Sequence, residues 1–126
     1  MGKSNFFEIH SAEEFNELVA KHELVAIDFT ATWCGPCKVI GPIFKLLSDS
    51  FENVVFLKVD VDDFGEIAGK YKIQAMPTFK FLRNGEVTGE FVGANKTKLE
   101  EGIAALAGLA APAEDAAVAG EAAPAA

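Results

Sequence analysis

The chain has 126 residues, of which 50% are hydrophobic and 24% are charged, a composition that argues against a disordered chain and fits one globular domain. Its net charge of −8, without a cluster of Lys or Arg, argues against binding to nucleic acid or to anionic membranes. No apolar stretch reaches the roughly 20 residues of a membrane-spanning helix, and the N-terminus lacks the apolar run of a signal peptide, so we expect a cytoplasmic protein.

The first predicted elements are a strand, a helix and a second strand. Phe6–Ile9 is a short apolar run, and Ser11 with Glu14 three residues later is the signature of a capped helix start. Apolar residues then recur at helical spacing as far as Val19. Leu24–Ala31 is an almost continuous apolar run, which is typical of a parallel strand covered on both faces.

The next segment repeats the alternation of helix and strand. Apolar residues at i, i+3 and i+4 predict a helix over Cys34–Ser50. Val54–Val61 is the third apolar strand, and we expect Asp63 to begin a short helix that ends near Lys70. Strands joined through helices in this way are expected to lie parallel, with right-handed crossovers.

A hairpin and a last helix complete the predicted domain. Phe79–Leu82 and Val87–Val92 flank Asn84 and Gly85, a pair that favours the type I′ turn of a hairpin, and Asn95 is the predicted N-cap of the helix. The element order is therefore βαβαβαββα. The fold class is α/β, with a central five-stranded mixed sheet flanked by four helices.

Residues 110–126 have a different composition, nearly all alanine with proline, glycine and acidic residues. The segment has no aromatic side chain, so it cannot bury much apolar surface. Pro112, Gly120 and Pro124 interrupt any helix that alanine would favour. We therefore assign residues 1–109 to one domain and expect residues 110–126 to form a disordered acidic tail.

The stretch TWCGPCK, residues 32–38, contains both cysteines and the single tryptophan of the chain. It follows a predicted parallel strand and opens a helix, where open α/β sheets place their functional sites. The unpaired N–H groups of a helix start stabilise a thiolate, which makes Cys34 the expected attacking, solvent-facing thiol. Cys37 lies one turn further on the same face, and Pro36 suits the first turn because it has no N–H to leave unpaired.

Three interpretations of the cysteine pair are open: a reversible dithiol, a structural disulfide and part of a metal site. So short a loop restricts the unfolded chain little, which disfavours a purely structural disulfide. A zinc site would need His10 and His22 as well as both cysteines, and the spacing of the histidines fits no common zinc pattern, so we predict no metal. A CxxC pair at a strand-to-helix junction in a reducing compartment favours redox chemistry.

With DFTATWCGPCK, AMPTF and FVGA in their places, residues 5–109 closely resemble the thioredoxin family. The resemblance implies the thioredoxin fold and a protein-disulfide reductase without a bound cofactor. Cys34 would attack a target disulfide to form a mixed disulfide, and Cys37 would resolve it. A thioredoxin reductase would restore the dithiol with electrons from NADPH or ferredoxin. The expected partners are this reductase and many disulfide-containing proteins, and we expect a monomer.

Two further residues are candidates for catalysis. Asp28 stands inside an apolar strand, where burial should raise its pKa toward neutrality, and the resemblance implies that it exchanges a proton with Cys37. A structural aspartate bonded to the backbone is the alternative. Lys58 matches the lysine that the family has near this aspartate, with a solvated strand residue as the alternative.

The resemblance also implies a substrate-binding rim around the dithiol. Pro77 would be the cis proline that faces the cysteines in the family, with an ordinary trans proline as the alternative. Exposed apolar residues in this region would form a protein-binding patch, although the tryptophan could instead be core. The predicted rim residues are Trp33, Gly35, Pro36, Met76, Pro77, Thr78, Val92, Gly93 and Ala94.

Two rival functions remain open. A disulfide oxidase or isomerase would favour a residue such as His between the cysteines to stabilise the thiolate, whereas Gly35 and Pro36 carry no charge and favour a reductant. A non-catalytic scaffold would not need both Cys34 and Cys37.

Overall fold

The structure is a computed structural model that describes residues 4–111. Apart from its first two residues, the predicted tail over 110–126 lies outside this range. Within the range the order of elements is the predicted βαβαβαββα. The elements are β1 Phe6–Glu8, α1 Ala12–Lys21, β2 Leu24–Thr30, α2 Gly35–Leu47, β3 Val55–Asp60, α3 Gly65–Lys70, β4 Thr78–Arg83, β5 Glu86–Val92 and α4 Lys96–Ala107.

The strands form a mixed sheet with the spatial order β1-β3-β2-β4-β5. β3 pairs in parallel with both β1 and β2, whereas β4 runs antiparallel to β2 and β5 antiparallel to β4. This confirms the predicted mixed sheet. Because β4 runs against β2, its first residue, Thr78, pairs next to the end of β2, opposite Phe29. The segment before β4 therefore lies beside the start of α2.

Each face of the sheet packs against two helices. β2 is buried at every position, as its apolar sequence predicts, and its residues alternate between the two faces. On one face, core residues of the sheet pack against α2 and α4; on the other they pack against α1 and α3. Leu24 and Ala26 belong to the α2 and α4 side. The period of two places Asp28 on that same side, under the start of α2.

Side-chain caps begin two of the helices as predicted. The Ser11 hydroxyl accepts the Glu14 N–H at 3.0 Å, while the Glu14 carboxylate accepts the N–H of His10 at 2.7 Å, one residue before the cap. At the start of α4, Asn95 accepts the N–H of Lys98 at 2.9 Å.

The prediction that Asp63 begins the third helix is wrong. The N-cap of α3 is Phe64, which makes no side-chain cap bond. The reason is the carboxylate of Asp60 at the end of β3, which accepts the N–H groups of Asp62 and Asp63 at 2.8 and 3.3 Å. Asp63 is thereby part of the turn that leaves β3.

Two other local features follow from backbone geometry. Asn84 and Gly85 have φ of 52° and 84°, the positive values that a type I′ turn requires, which confirms the predicted hairpin. The predicted helix over Cys34–Ser50 ends earlier, at Leu47, because the N–H groups of the next three residues bond to carbonyls three residues back, a tighter 3₁₀ pattern.

α4 comes unusually close to β4 at Gly102. A Cβ atom at Gly102 would lie 2.6 Å from Cε2 of Phe81, whose ring is buried in the core. The absence of a side chain at this position therefore sets how closely the helix lies on the sheet. No helix within residues 4–111 has the length and apolar character that crossing a membrane requires.

Candidate active site

The two cysteines form a disulfide at the start of α2. Cys34 is the N-cap of the helix, Cys37 lies in its first turn, and their Cα atoms are 5.3 Å apart. The Cys34 sulfur accepts the N–H of Cys37 at 3.2 Å. Both residues are buried, with exposed fractions of 5% and 4%. The expectation that Cys34 is the more solvent-exposed of the two thiols is therefore wrong. What distinguishes Cys34 is its position at the terminus of α2.

The segment before β4 lies against the disulfide. The sulfur of Cys34 is 3.7 Å from the carbonyl oxygen of Met76, and the Met76–Pro77 peptide bond is cis, as predicted. The Thr78 hydroxyl donates to the carbonyl of Ala75 at 2.6 Å. Of the predicted rim residues in this segment, Met76 contacts the dithiol directly, and Pro77 and Thr78 follow it in the chain.

The end of β5 is tied to the same segment. The N–H of Gly93 donates to the carbonyl oxygen of Pro77 at 2.9 Å, and Val92 pairs with Thr78 in the sheet. The chain thus brings the predicted rim segments around 76–78 and 92–94 together. Five of the predicted rim residues are exposed, Trp33, Gly35, Pro36, Val92 and Ala94; Met76 and Gly93 are partly buried, and Pro77 and Thr78 are buried.

Trp33 lies on the surface, with 66% of the residue exposed, so it is not a core residue. Its Nε1–H donates to Oδ2 of Asp62 at 2.9 Å. Asp62 was not among the residues singled out from the sequence. The signal that could have found it is its place just after β3, since the carboxyl ends of neighbouring parallel strands meet at one edge of a sheet.

Asp28 is buried on the α2 side of β2, with 2% of the residue exposed. Within the described part of the chain its Oδ1 has no hydrogen-bond partner. Burial raises the pKa of Asp28 from 3.8 to about 7, and the charge of Lys58 partly opposes that rise. The unpaired oxygen does not fit the alternative of an aspartate held by backbone hydrogen bonds.

Lys58 lies next to Asp28 in the sheet, because the two residues pair between β3 and β2. Its ammonium binds elsewhere, to Oε2 of Glu8 on β1 at 3.2 Å. Lys58 thus acts on Asp28 through space rather than through a direct ion pair. Glu8 is a second residue that the sequence alone did not indicate.

A cavity of about 920 Å³ joins these groups. Asp28, Cys37 and Lys58 line it, and so does the exposed Glu8. The other lining residues with ionisable side chains are His10, Lys38, Lys45, Asp60 and Asp63. Asp28 therefore shares one cavity with Cys37 and with the exposed Glu8. Within residues 4–111, no three His, Cys, Asp or Glu residues form a group that could hold a metal ion.

Comparisons with known proteins agree with this geometry. A family model described as thioredoxin matches residues 6–105. A thioredoxin H-type of Picea mariana is 47% identical over 118 residues, which cover 90% of this chain and 94% of the relative. Thioredoxin of Mus musculus is 53% identical over 97 residues, covering 75% of this chain and 92% of its own.

A solved structure shows the same similarity. The crystal structure of Schistosoma mansoni thioredoxin has a TM-score of 0.77 and 44% identity, and the match covers 82% of this chain and 98% of that one. Family, fold and the Cys34–Cys37 disulfide thus agree, and the chain belongs to the thioredoxin family of thiol-disulfide oxidoreductases.

Proposed function

We propose that the protein is a general reductant of protein disulfides in which Cys34 is the nucleophile and Cys37 the resolving thiol. The observation that carries this assignment is the hydrogen bond of 3.2 Å from the Cys37 N–H to the Cys34 sulfur at the start of α2. A donor aimed at the sulfur and the positive end of the helix dipole both favour a thiolate at Cys34. Cys37, one turn inside the helix, is placed to attack Cys34 afterwards.

The reaction has two steps. The Cys34 thiolate attacks one sulfur of the target disulfide; that S–S bond breaks, a Cys34–target bond forms, and the other target sulfur leaves as a thiolate that takes a proton from solvent. The Cys37 thiol then gives up its proton, and its sulfur attacks Cys34. The Cys34–target bond breaks, and the second target sulfur leaves as a thiolate and is protonated. The target gains two electrons and two protons, and the Cys34–Cys37 pair is oxidised.

Asp28 is the group we assign to accept the proton of Cys37. Both residues line the same cavity, and a carboxyl group with a pKa of about 7 both accepts and releases a proton near neutral pH. Lys58 moderates the rise in this pKa through space, so that part of the Asp28 population is ionised near neutral pH and able to accept the proton.

We assign target binding to the rim around the disulfide. Trp33 and Val92 expose apolar surface, and Met76 packs against the cysteines. The backbone at Met76 is placed to pair with an extended segment of the target, a mode that depends little on target sequence. Such a surface suits many disulfide-containing proteins rather than one.

The oxidised protein must be reduced again after each turnover. We propose a thioredoxin reductase for this step, with electrons from NADPH or ferredoxin, and a role in cellular electron transport. A reducing compartment such as the cytoplasm fits a reductant, because thiols there are kept reduced. We propose that the protein acts as a monomer. The net charge of −8 is unfavourable for nucleic acid and for anionic membranes.

The assignment is tested by trapping the intermediate. Without the resolving thiol, Cys37→Ser should accumulate a mixed disulfide between Cys34 and an added protein disulfide such as insulin, visible on a non-reducing gel and released by dithiothreitol. Cys34→Ser is the matched control and should form no adduct and reduce no insulin. An adduct with Cys34→Ser, or turnover that survives in it, would show that Cys34 is not the nucleophile.

A further inference from the structure

Three charged residues lie in one row across the sheet. The parallel pairing of β1 with β3 sets Glu8 opposite Lys58, and the pairing of β3 with β2 sets Lys58 opposite Asp28. Residues in register on neighbouring strands point to the same face. Lys58 therefore stands between two carboxylates, and all three residues line the cavity that contains Cys37.

The Lys58 ammonium is bound to the outer carboxylate. Its Nζ lies 3.2 Å from Oε2 of Glu8, and 41% of the Lys58 side chain and 59% of the Glu8 side chain are exposed. Asp28 is 2% exposed, and its Oδ1 has no partner within the described part of the chain. The Lys58 ammonium is thus paired at the solvent-exposed end of the row, whereas Oδ1 of the buried Asp28 has no partner among the described residues.

None of the other ionisable residues that line the cavity pairs with Asp28 in the described sheet. His10 lies 3.8 Å from the Glu14 carboxylate, and the Lys45 ammonium lies over the ring of Phe6, 5.4 Å from its centroid. The Asp60 carboxylate accepts backbone N–H groups of the following turn. Lys38 on α2 and Asp63 after β3 also line the cavity. Among these groups, Lys58 is the cation that the strand register sets directly beside Asp28.

We propose that Glu8 is a positioning residue that holds the Lys58 ammonium at the outer end of the cavity and so prevents it from forming an ion pair with Asp28. An ion pair would stabilise the ionised carboxylate and lower its pKa, because a nearby opposite charge favours the charged form. Asp28 would then be a weaker acceptor for the proton of Cys37. The effect of Glu8 on the pKa of Asp28 does not depend on the proposed function. Its effect on turnover does, because it rests on the proposed role of Asp28 as the proton acceptor.

The test is the pKa of Asp28, measured from the ¹³C resonance of its carboxyl group in the full chain. Glu8→Gln removes the charge and keeps the shape, and should lower this pKa by about half a unit, in line with the modest strength of exposed ion pairs. Glu8→Asp keeps the charge and should stay closer to the wild type. Glu17→Gln on α1, which makes the same change in net charge outside the cavity lining, should leave the pKa unchanged.

A double-variant cycle separates positioning from the direct field of Glu8. In a Lys58→Gln background, Glu8→Gln should shift the pKa of Asp28 much less than in the wild type, since there is no ammonium to release. An equal shift in both backgrounds, or no shift in either, would overturn the positioning role.

The pH profile of insulin reduction then tests the link to turnover. If the pKa of Asp28 falls in Glu8→Gln and the profile moves with it, both proposals hold. If the pKa falls and the profile does not move, Glu8 positions Lys58 but Asp28 is not the proton acceptor. The two proposals can therefore fail separately.

Discussion

The Nε1–H of Trp33 donates a hydrogen bond of 2.9 Å to Oδ2 of Asp62, and this bond joins the loop after β2 to the turn after β3. A hydrogen bond at the tip of an exposed side chain restricts the rotamers that the side chain can adopt. The indole of Trp33, the residue before Cys34, is thereby held in one orientation.

Asp62→Ala should weaken target binding without affecting the chemical steps. Losing one exposed hydrogen bond to a carboxylate corresponds to about 0.5–1 kcal/mol, or roughly a two- to fivefold increase in the KM for insulin with little change in kcat. Trp33 is the single tryptophan of the chain, so its fluorescence anisotropy reports the freed ring directly. Asp62→Asn, which keeps an acceptor oxygen, is the matched control. Unchanged KM and anisotropy in Asp62→Ala would show that the bond does not order the surface.

The stability of the protein should fall as the pH rises through neutrality. The pKa of Asp28 is raised from 3.8 to about 7 in the folded state, so the folded protein binds this proton more tightly than the unfolded chain does. The free energy of unfolding then decreases between the two values, by about 2–3 kcal/mol from about pH 5 to pH 8. Urea unfolding at a series of pH values measures this slope. A flat or rising curve in the wild type would contradict it.

Asp28→Asn should remove that pH dependence and slow the reaction. An amide cannot ionise, so at pH values above about 7 the variant should be more stable than the wild type by about 1–3 kcal/mol, after the cost of an imperfectly paired amide. Insulin reduction should be slower, about tenfold, because Cys37 loses its proton acceptor while water in the cavity substitutes in part. A variant that melts at a lower temperature at alkaline pH and keeps full activity would contradict both claims.

A positive charge between the cysteines should make the disulfide more oxidising. Gly35 and Pro36 carry no charge, and we expect a wild-type reduction potential more negative than about −230 mV. In Pro36→His an imidazolium would stabilise the Cys34 thiolate and raise the potential by about 30 mV. The reduction potentials of the wild type and Pro36→His are measured by equilibration with glutathione buffers. Pro36→Ser is the uncharged control. A wild-type value near −180 mV, in the range of the disulfide isomerase, would favour the rival function.

Gly102→Ala should destabilise the fold although alanine is the better helix former. Its Cβ would lie 2.6 Å from the buried Phe81 ring, so helix or ring must move, at a cost of about 1–3 kcal/mol that exceeds the gain in helix propensity. Gly69→Ala in α3 is the control, because a Cβ there meets no atom within 4 Å, and this variant should be neutral or stabilised. Thermal melts of the wild type and both variants measure these effects. If Gly102→Ala is as stable as the wild type, α4 can shift away from β4 at no cost.

The features predicted correctly from the sequence are those that local chemistry determines. Asn84 and Gly85 adopt positive φ, and Asn95 caps a helix, because these preferences act over a few residues. The apolar run of β2 reflects burial on both faces and so also identified Asp28 as an unusual buried carboxylate. The position of the two cysteines was predicted correctly because the apolar run of β2 is followed directly by the start of α2.

What the sequence did not reveal depends on how distant segments meet. Glu8 and Lys58 are far apart in the chain and become partners only because β3 lies between β1 and β2. Asp62 reaches Trp33 for a similar reason, and Asp60 rather than Asp63 organises the turn before α3. Such contacts depend on strand order and register, which the pattern of elements leaves undetermined.

The cavity that Cys37 lines is distinct from the proposed target-binding rim. Its lining includes Cys37 and Asp28 but does not include Trp33, Met76 or Val92, to which we assign target binding. A target bound at that rim should therefore leave the cavity that Cys37 lines uncovered. In the mechanism proposed above, the proton of Cys37 passes to Asp28 in this cavity, whereas the electrons pass to the target at the rim, so tight docking should not halt the second step.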